Sequence, residues 1–219
     1  TTDEFQKEGP YGEWMGYYQD GYEKDRIVRI HRIYHRNNPI ILGCPQGKPP
    51  HEDNRFLAYL RSGMIWDQLE KAGVPGVCGV WSPPEGGNRL MTVVAIKTQY
   101  LGHSKQAGLI ASQCAGAVEM NRLTVVVDDH VDITSLQDVV WAIVARCDPE
   151  RGVEIIKDAK GSRIDMAIAP DRRELKANSR MIIDATTPFE WKNHPLAGDI
   201  ISTPERSRAI RARWGWILD

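Results

Sequence analysis

The chain has 219 residues, 42% of them hydrophobic, so there is enough apolar material for a sizeable core. Its 28 Lys+Arg against 29 Asp+Glu leave a formal net charge of -1, which excludes a global field attracting nucleic acid or an acidic membrane. The four cysteines are widely spaced with no CxxC pair, and no apolar run reaches membrane-spanning length, so the expectation is a cytoplasmic protein with free thiols rather than disulfides or a zinc site.

The first six residues are polar and uncapped, without a starting methionine, and read as the middle of a longer polypeptide. They lead into Glu8-Gly9-Pro10-Tyr11-Gly12-Glu13, where a Gly-Pro turn holds two carboxylates a fixed distance apart. Taken alone this is either a solvated turn or a loop built to present two acids. Ile27, Val28, Ile30 and Ile33, interleaved with Arg29, His31 and Arg32, predict a half-buried strand over 27–35. A turn at Asn37-Asn38-Pro39 leads to a second short strand, Ile40–Leu42, and His31 and His35 read as ordinary strand histidines. Gly47-Lys48-Pro49-Pro50 marks the expected domain boundary.

Beyond it, helices and strands alternate. Leu57, Leu60, Met64, Ile65 and Leu69 predict a helix over 55–72 that ends at Gly73. Apolar strands are predicted at Val77–Trp81, Met91–Ile96 and Leu123–Val127, with further candidates at Val153–Ile156, Ile164–Ile168 and Met181–Ile183. Helices are predicted from Ser104, near an N-cap, to about Met120, and from Thr134 to Cys147, where Asp148-Pro149 stops the second. Thr203 as N-cap and Pro204 at the first helical position open a last helix through about Arg213, followed by Trp214 and Trp216. That tail is either a solvated surface helix or a docking helix for a partner. The whole predicts an α/β fold with a parallel sheet buried on both faces.

Three stretches bear groups capable of chemistry. Asp128-Asp129-His130-Val131-Asp132 lies at the carboxyl end of a strand, where a metal or hydroxyl-bearing ligand binds in open α/β sheets, although helix capping and loop hydrogen bonding explain the acids better. The segment from Lys97 to Gln106 joins strand to helix and offers either a phosphate site or a capped connector. No GxGxxG or Walker A sequence is present, which leaves pyridine-nucleotide and ATP chemistry without support.

Several segments, in order, resemble the UbiD-like decarboxylase family, whose members use prenylated FMN. They are Glu8–Glu13 with Gly16-Tyr17-Tyr18, Pro83-Pro84-Glu85-Gly86, Ile96–Tyr100 with Gly102-His103, Val125–Asp129, Trp141-Ala142-Ile143, Arg146–Arg151 and Ile183-Asp184-Ala185-Thr186. The resemblance implies that residues 1–47 finish a flavin-binding, β-barrel-like domain. It further implies a Rossmann-like α/β domain over 48–192 and a tail with a C-terminal helix over 193–219.

It also implies a reversible (de)carboxylase of an aromatic or α,β-unsaturated carboxylic acid, with carbon dioxide as the other reactant. Glu13 falls at the proton-donor position, and Glu8 belongs to a neighbouring glutamate–arginine network. Arg122 stands where a lysine that reaches the flavin phosphate is usual, and Tyr11 where phenylalanine is usual. The family's divalent metal (Mn or Mg), with potassium, would be held by the N-terminal portion, so no metal ligand is assigned to this chain. The expected partner is therefore a chain carrying that portion, in a homo- or hetero-oligomer. The alternative is a non-catalytic assembly subunit that retains the α/β domain.

Overall fold

The computed structural model describes residues 3–19, 21, 23–193 and 204–217. Residues 1–186 form one compact unit and 187–219 a second. The N-terminal stretch holds two small antiparallel ladders. β1 (Phe5–Gln6) pairs with β4 (Asp25–Arg26), and β2 (Tyr11–Gly12) with β3 (Tyr18–Gln19).

The two strands expected over 27–42 are absent. Alternation predicts a strand only if something covers its apolar face and pairs its backbone. Here Val28, Ile30, Ile33 and Ile40–Leu42 are all exposed, and no ladder includes them. His31 and His35 accordingly lie on an exposed loop, not on a strand face.

α1 (Glu52–Lys71) follows. Ala58, Ser62, Ile65 and Leu69 recur at helical spacing and are buried, whereas Leu60 and Met64 are exposed together with Phe56 and Tyr59. The helix therefore has two apolar faces, of which the sheet covers one. Its end is a Schellman motif: Val74 N–H donates to Leu69 O and Gly73 N–H to Glu70 O, with Gly73 at φ +77°. Val74 and Leu69 then enter the same core cluster.

The main sheet has five strands: β5 (Val77–Trp81), β6 (Met91–Ile96), β7 (Leu123–Asp128), β8 (Val153–Lys160) and β9 (Ala177–Ala185), in spatial order β5-β6-β7-β9-β8. The expected parallel sheet is mixed. β6, β7 and β9 run parallel, while the edge strands β5 and β8 are antiparallel to their neighbours. The reason is connection type. A parallel step needs a crossover, and helices α2 (His103–Gln113) and α3 (Leu136–Arg146) provide them. β5 returns into β6 through only a short helical turn at Pro84–Gly86, and β8 reaches β9 through short α5 (Pro170–Glu174). The strand expected at Ile164–Ile168 is turn structure in that last connection.

Side-chain alternation divides the core into two layers. Val94, Ile96 and Val126 face Ile65, Leu69, Ala107 and Ala111 on one side of the sheet. Val93, Ala95, Val125, Val127 and Ile183 face Val139 and Ala142 of α3 on the other. Each such fully buried valine contributes about 1.5–3 kcal/mol relative to an exposed one.

Helix boundaries differ from expectation at the caps. Gly102 is the N-cap of α2, and Ser104 instead donates its hydroxyl to Asp184 on β9. α2 stops at Gln113 rather than running to Met120, giving way to turns. Ser135 caps α3 by accepting from Asp138 N–H, and Asp148 caps the short α4 (Pro149–Gly152). In the second unit α6 runs Pro204–Trp214, with Trp214 and Trp216 at the surface; Thr203 lies outside the described residues.

No cysteine is disulfide-bonded. Cys78 is exposed and the other three are half-buried. Burial pushes the thiols of Cys114 and Cys147 up. Among the described residues no helix is long and apolar enough to cross a membrane.

Candidate active site

The β2–β3 hairpin presents Glu13 at its turn. Glu13 N–H donates to Tyr17 O and Gly16 N–H to Glu13 O, both at 2.8 Å, so the backbone of Glu13 is pinned on both sides. Its carboxylate accepts from Trp14 N–H at 3.2 Å. Glu8 lies just before the hairpin and is half-exposed. Partial desolvation, a hydrogen bond shared with Asp25, and the charges of Asp25 and Glu13 hold its carboxyl above the usual carboxylate range. The two glutamates of the Gly-Pro loop are thus electrostatically linked, and Asp25 joins them as a third acid.

Trp14 is the wedge that docks this hairpin. Its side chain is buried, and its ring packs against Gly87, where an added Cβ would come within 2.3 Å of the ring carbon Cζ3. Arg89 places its guanidinium 5.6 Å from the ring centroid, within cation–π range. The turn over Pro84–Gly87, ending with Gly87 at φ +60°, is what brings Asn88 and Arg89 to this point.

Between the hairpin, the start of α1 and this turn lies a cavity of about 250 Å³. Glu13, Trp14, Gln46, Asp53, Asn88 and Arg89 supply its polar lining. Trp14 Nε1 and both amide atoms of Asn88 are buried without a hydrogen-bond partner, which is costly unless a ligand or solvent satisfies them. Arg61 adds positive charge nearby. Burial and then the charge of Arg89 push its guanidinium down, while its Nη1 donates to Gly116 O at 2.8 Å. The cavity thus combines a carboxyl and a guanidinium on largely apolar walls.

Sequence reasoning singled out Glu13 but not Trp14, Gln46, Asp53, Asn88 or Arg89. The signal available for Asn88 and Arg89 was the Pro-Pro-Glu-Gly-Gly turn before them. Arg122 stands at the start of β7, with Nη2 donating to both carboxylate oxygens of fully buried Asp165 at 2.5 and 2.6 Å.

The other stretches have structural partners. Asp128 accepts from Arg146, which also meets His130 Nε2 at 2.9 Å, and Asp132 accepts from Thr134. Those hydrogen bonds hold the Asp132 carboxyl below the usual range. Lys105, in the first turn of α2, pairs with Glu154, so the start of that helix is tied to β8. His103 is fully buried, and desolvation pushes its imidazole down, keeping it neutral while Nδ1 accepts from Gln99 N–H.

A flavin is larger than this cavity, since sites enclosing a drug-sized ligand span roughly 300–1,000 Å³. The cavity has room for the edge of a flavin but not for its phosphate tail. Among the described residues, the one cluster of three or more His, Cys, Asp or Glu side chains close enough to share an ion is Cys44, His51 and Asp53. A thiolate-bearing set does not suit Mn or Mg, which take oxygen ligands.

Residues 1–49 match the family model of the 3-octaprenyl-4-hydroxybenzoate carboxy-lyase Rift-related domain, and residues 55–185 that of the carboxy-lyase C-terminal domain. An uncharacterized protein of Aeropyrum pernix is 30% identical over 218 residues, 97% of this chain and 43% of the relative. The UbiD-class enzyme HmfF from Pelotomaculum thermopropionicum, solved with FMN, superposes with TM-score 0.78 at 27% identity, covering 96% of this chain and 44% of that one. An evolved dimeric form of HmfF is in complex with prFMN. The closed form of vanillic acid decarboxylase (ShVdcCD) from Sedimentibacter hydroxybenzoicus gives TM-score 0.79 at 27% identity, over 98% of this chain and 44% of that one. The chain spans less than half the length of these relatives.

Proposed function

The chain belongs to the UbiD carboxy-lyase family, and from that premise we propose that it supplies the proton-donor side of a prenylated-FMN-dependent, reversible (de)carboxylase. The substrate class is an aromatic or α,β-unsaturated carboxylic acid. The observation that carries the proposal is the convergence of Glu13, Trp14, Asn88 and Arg89 on one cavity. In this reading residues 1–47 belong to the flavin-binding β domain, 48–192 to a Rossmann-like domain and 193–219 to the tail.

Bound prenylated FMN supplies the electron sink for the pair released when the carbon–carboxylate bond breaks. This chain's residues do the rest. Arg89 faces the anionic substrate across the cavity and orients its carboxylate. As carbon dioxide leaves, Glu13 donates its proton to the carbon left behind and is reprotonated from solvent. In the reverse direction Glu13 takes that proton and the carbon adds carbon dioxide.

The exposed apolar residues of 27–42 and the Phe56–Met64 face of α1 support a partner surface, since contiguous patches of this kind mark interaction sites. Their occupant in this reading is the remaining portion of the enzyme. A second reading, an assembly subunit without chemistry of its own, draws on Arg122, whose guanidinium is already held by Asp165.

The reaction is tested by incubating the purified protein, with its co-purifying chains and flavin, with aromatic acids and 13C-labelled bicarbonate. Label entering the recovered acid is the expected result. No exchange with any acid, together with no flavin in the native mass spectrum, favours the assembly reading. A sharper test of positioning is Gly87→Ala. The added methyl meets the Trp14 ring at a positive φ and displaces the hairpin bearing Glu13. We expect turnover to fall by about 100-fold, the scale associated with a displacement near 1 Å. Unchanged turnover would remove Trp14 from the positioning role.

A further inference from the structure

Cys44, His51 and Asp53 lie outside the proton-donor loop, and their pattern in sequence is not one of the usual zinc spacings. We propose that these three side chains form a zinc site that clips the 44–51 loop and the start of α1 to the hairpin carrying Glu13. The inference is independent of the carboxy-lyase reading.

The geometry is convergent. One ligand atom from each side chain lies within 4.8 Å of the others, with Cys44 Sγ 3.9 Å from His51 Nδ1. In a tetrahedral site with Zn–S of about 2.3 Å and Zn–N and Zn–O of about 2.0 Å, the S-to-N edge is about 3.5 Å and the N-to-O edge about 3.3 Å, so Cys44 must approach by a few tenths of an ångström and Asp53 Oδ1, now in contact with Nδ1, must draw back by about an ångström. Asp53 Oδ1 contacts the same ring nitrogen and has no other polar partner.

Sulfur, nitrogen and carboxylate oxygen thus meet at one point on one side of the imidazole. A nucleophile–base–acid relay would place the thiol and the carboxylate on opposite ring nitrogens, and this arrangement does not. The other nitrogen, Nε2, lies 3.3 Å from Trp14 O. Donation to that carbonyl leaves Nδ1 as the acceptor, beside Cys44, Asp53 and the Asn54 backbone N–H of the capping box, and it is the outer-sphere pairing that orients metal-bound histidines. His51 is also anchored through its backbone, whose N–H donates to the buried Asn54 side chain at 3.2 Å.

The donor set selects the ion. Thiolate, imidazole and carboxylate together suit Zn²⁺ and disfavour Mg²⁺ or Mn²⁺. On binding, the Cys44 thiol releases its proton to solvent and the sulfur becomes a ligand. Three protein ligands leave a fourth position for solvent. Asp53 also lines the cavity beside Glu13, so the metal would bridge the cavity wall and, through His51 and the Trp14 carbonyl, the donor loop.

The purified protein, with any co-purifying chains, is stripped with EDTA and titrated with Zn²⁺ and with Co²⁺. One equivalent of either metal per copy of this chain binds in a Cys44-dependent manner, beyond any taken up by co-purifying chains, and Co²⁺ gives a sulfur-to-cobalt charge-transfer band in the near ultraviolet. Cys44→Ser removes that band, and Cys114→Ser leaves it. Cys44→Ser and Asp53→Asn each weaken zinc binding by about 100-fold or more, a direct ligand counting for at least as much as a supporting group. Circular dichroism spectra matching the wild type show that the variants remain folded. Failure to bind one equivalent of zinc, or a cobalt spectrum insensitive to Cys44→Ser, overturns the proposal and leaves an ordinary His51–Asp53 pair beside a free thiol.

Discussion

Replacing Glu13 by glutamine lowers turnover of the assembled enzyme by about 100- to 10,000-fold, the usual contribution of a positioned general acid. Flavin stays bound. The substitution is nearly isosteric, and the glutamine Oε1 still accepts from Trp14 N–H, which Glu13 Oε2 does now. The hairpin hydrogen bonds from Glu13 N–H to Tyr17 O and from Gly16 N–H to Glu13 O are backbone bonds and persist. What is lost is the transferable proton. Steady-state turnover and the flavin absorption spectrum separate the two effects. Near-normal turnover with flavin present would remove Glu13 from the donor role, and loss of flavin would show that Glu13 serves binding.

Arg180→Leu is expected to be the most damaging change to the fold. Arg180 sits on β9 with 1% exposure. Its guanidinium donates to Ser112 O at the end of α2, to Val118 O in the following turn, and to Lys160 O at the end of β8. Burial pushes its pKa down, yet an arginine remains charged at neutral pH. Leucine fills part of the volume and leaves three carbonyls without their donor. At about 1–3 kcal/mol for each buried acceptor, partly relieved by relaxation, the loss of stability is about 3–5 kcal/mol. Arg180→Lys recovers only part, because one ammonium cannot span the fork. Urea unfolding of both variants measures this, and a loss below about 1 kcal/mol for Arg180→Leu would show that solvent already satisfies those carbonyls.

Arg180 was invisible to sequence reasoning, and the reason is general to this protein. An arginine two places after an asparagine reads as surface. Its burial depends on three carbonyls, from residues 20, 62 and 68 positions away in the chain, meeting at one point. Arg122 is a similar case. The family resemblance puts it where a lysine that reaches the flavin phosphate is usual, and Asp165, 43 residues later, pairs with its guanidinium. The Cys44, His51 and Asp53 cluster is another, brought together only when the loop folds back on the start of α1 and on Trp14.

What local pattern controls was legible from sequence alone. The apolar runs Met91–Ile96 and Leu123–Val127 became β6 and β7 because both faces are covered, and Gly73 ended α1 because its conformation suits the left-handed region. The paired carboxylates were legible too, since Gly9 and Pro10 shape their own loop. The family followed from the order of such segments. The direction of the edge strands, the exposure of residues 27–42 and the convergence of Glu13 with Asn88 and Arg89 belong to tertiary structure. Periodicity reports how a segment would like to be covered, while pairing, register and the neighbours of a side chain depend on contacts with distant parts of the chain.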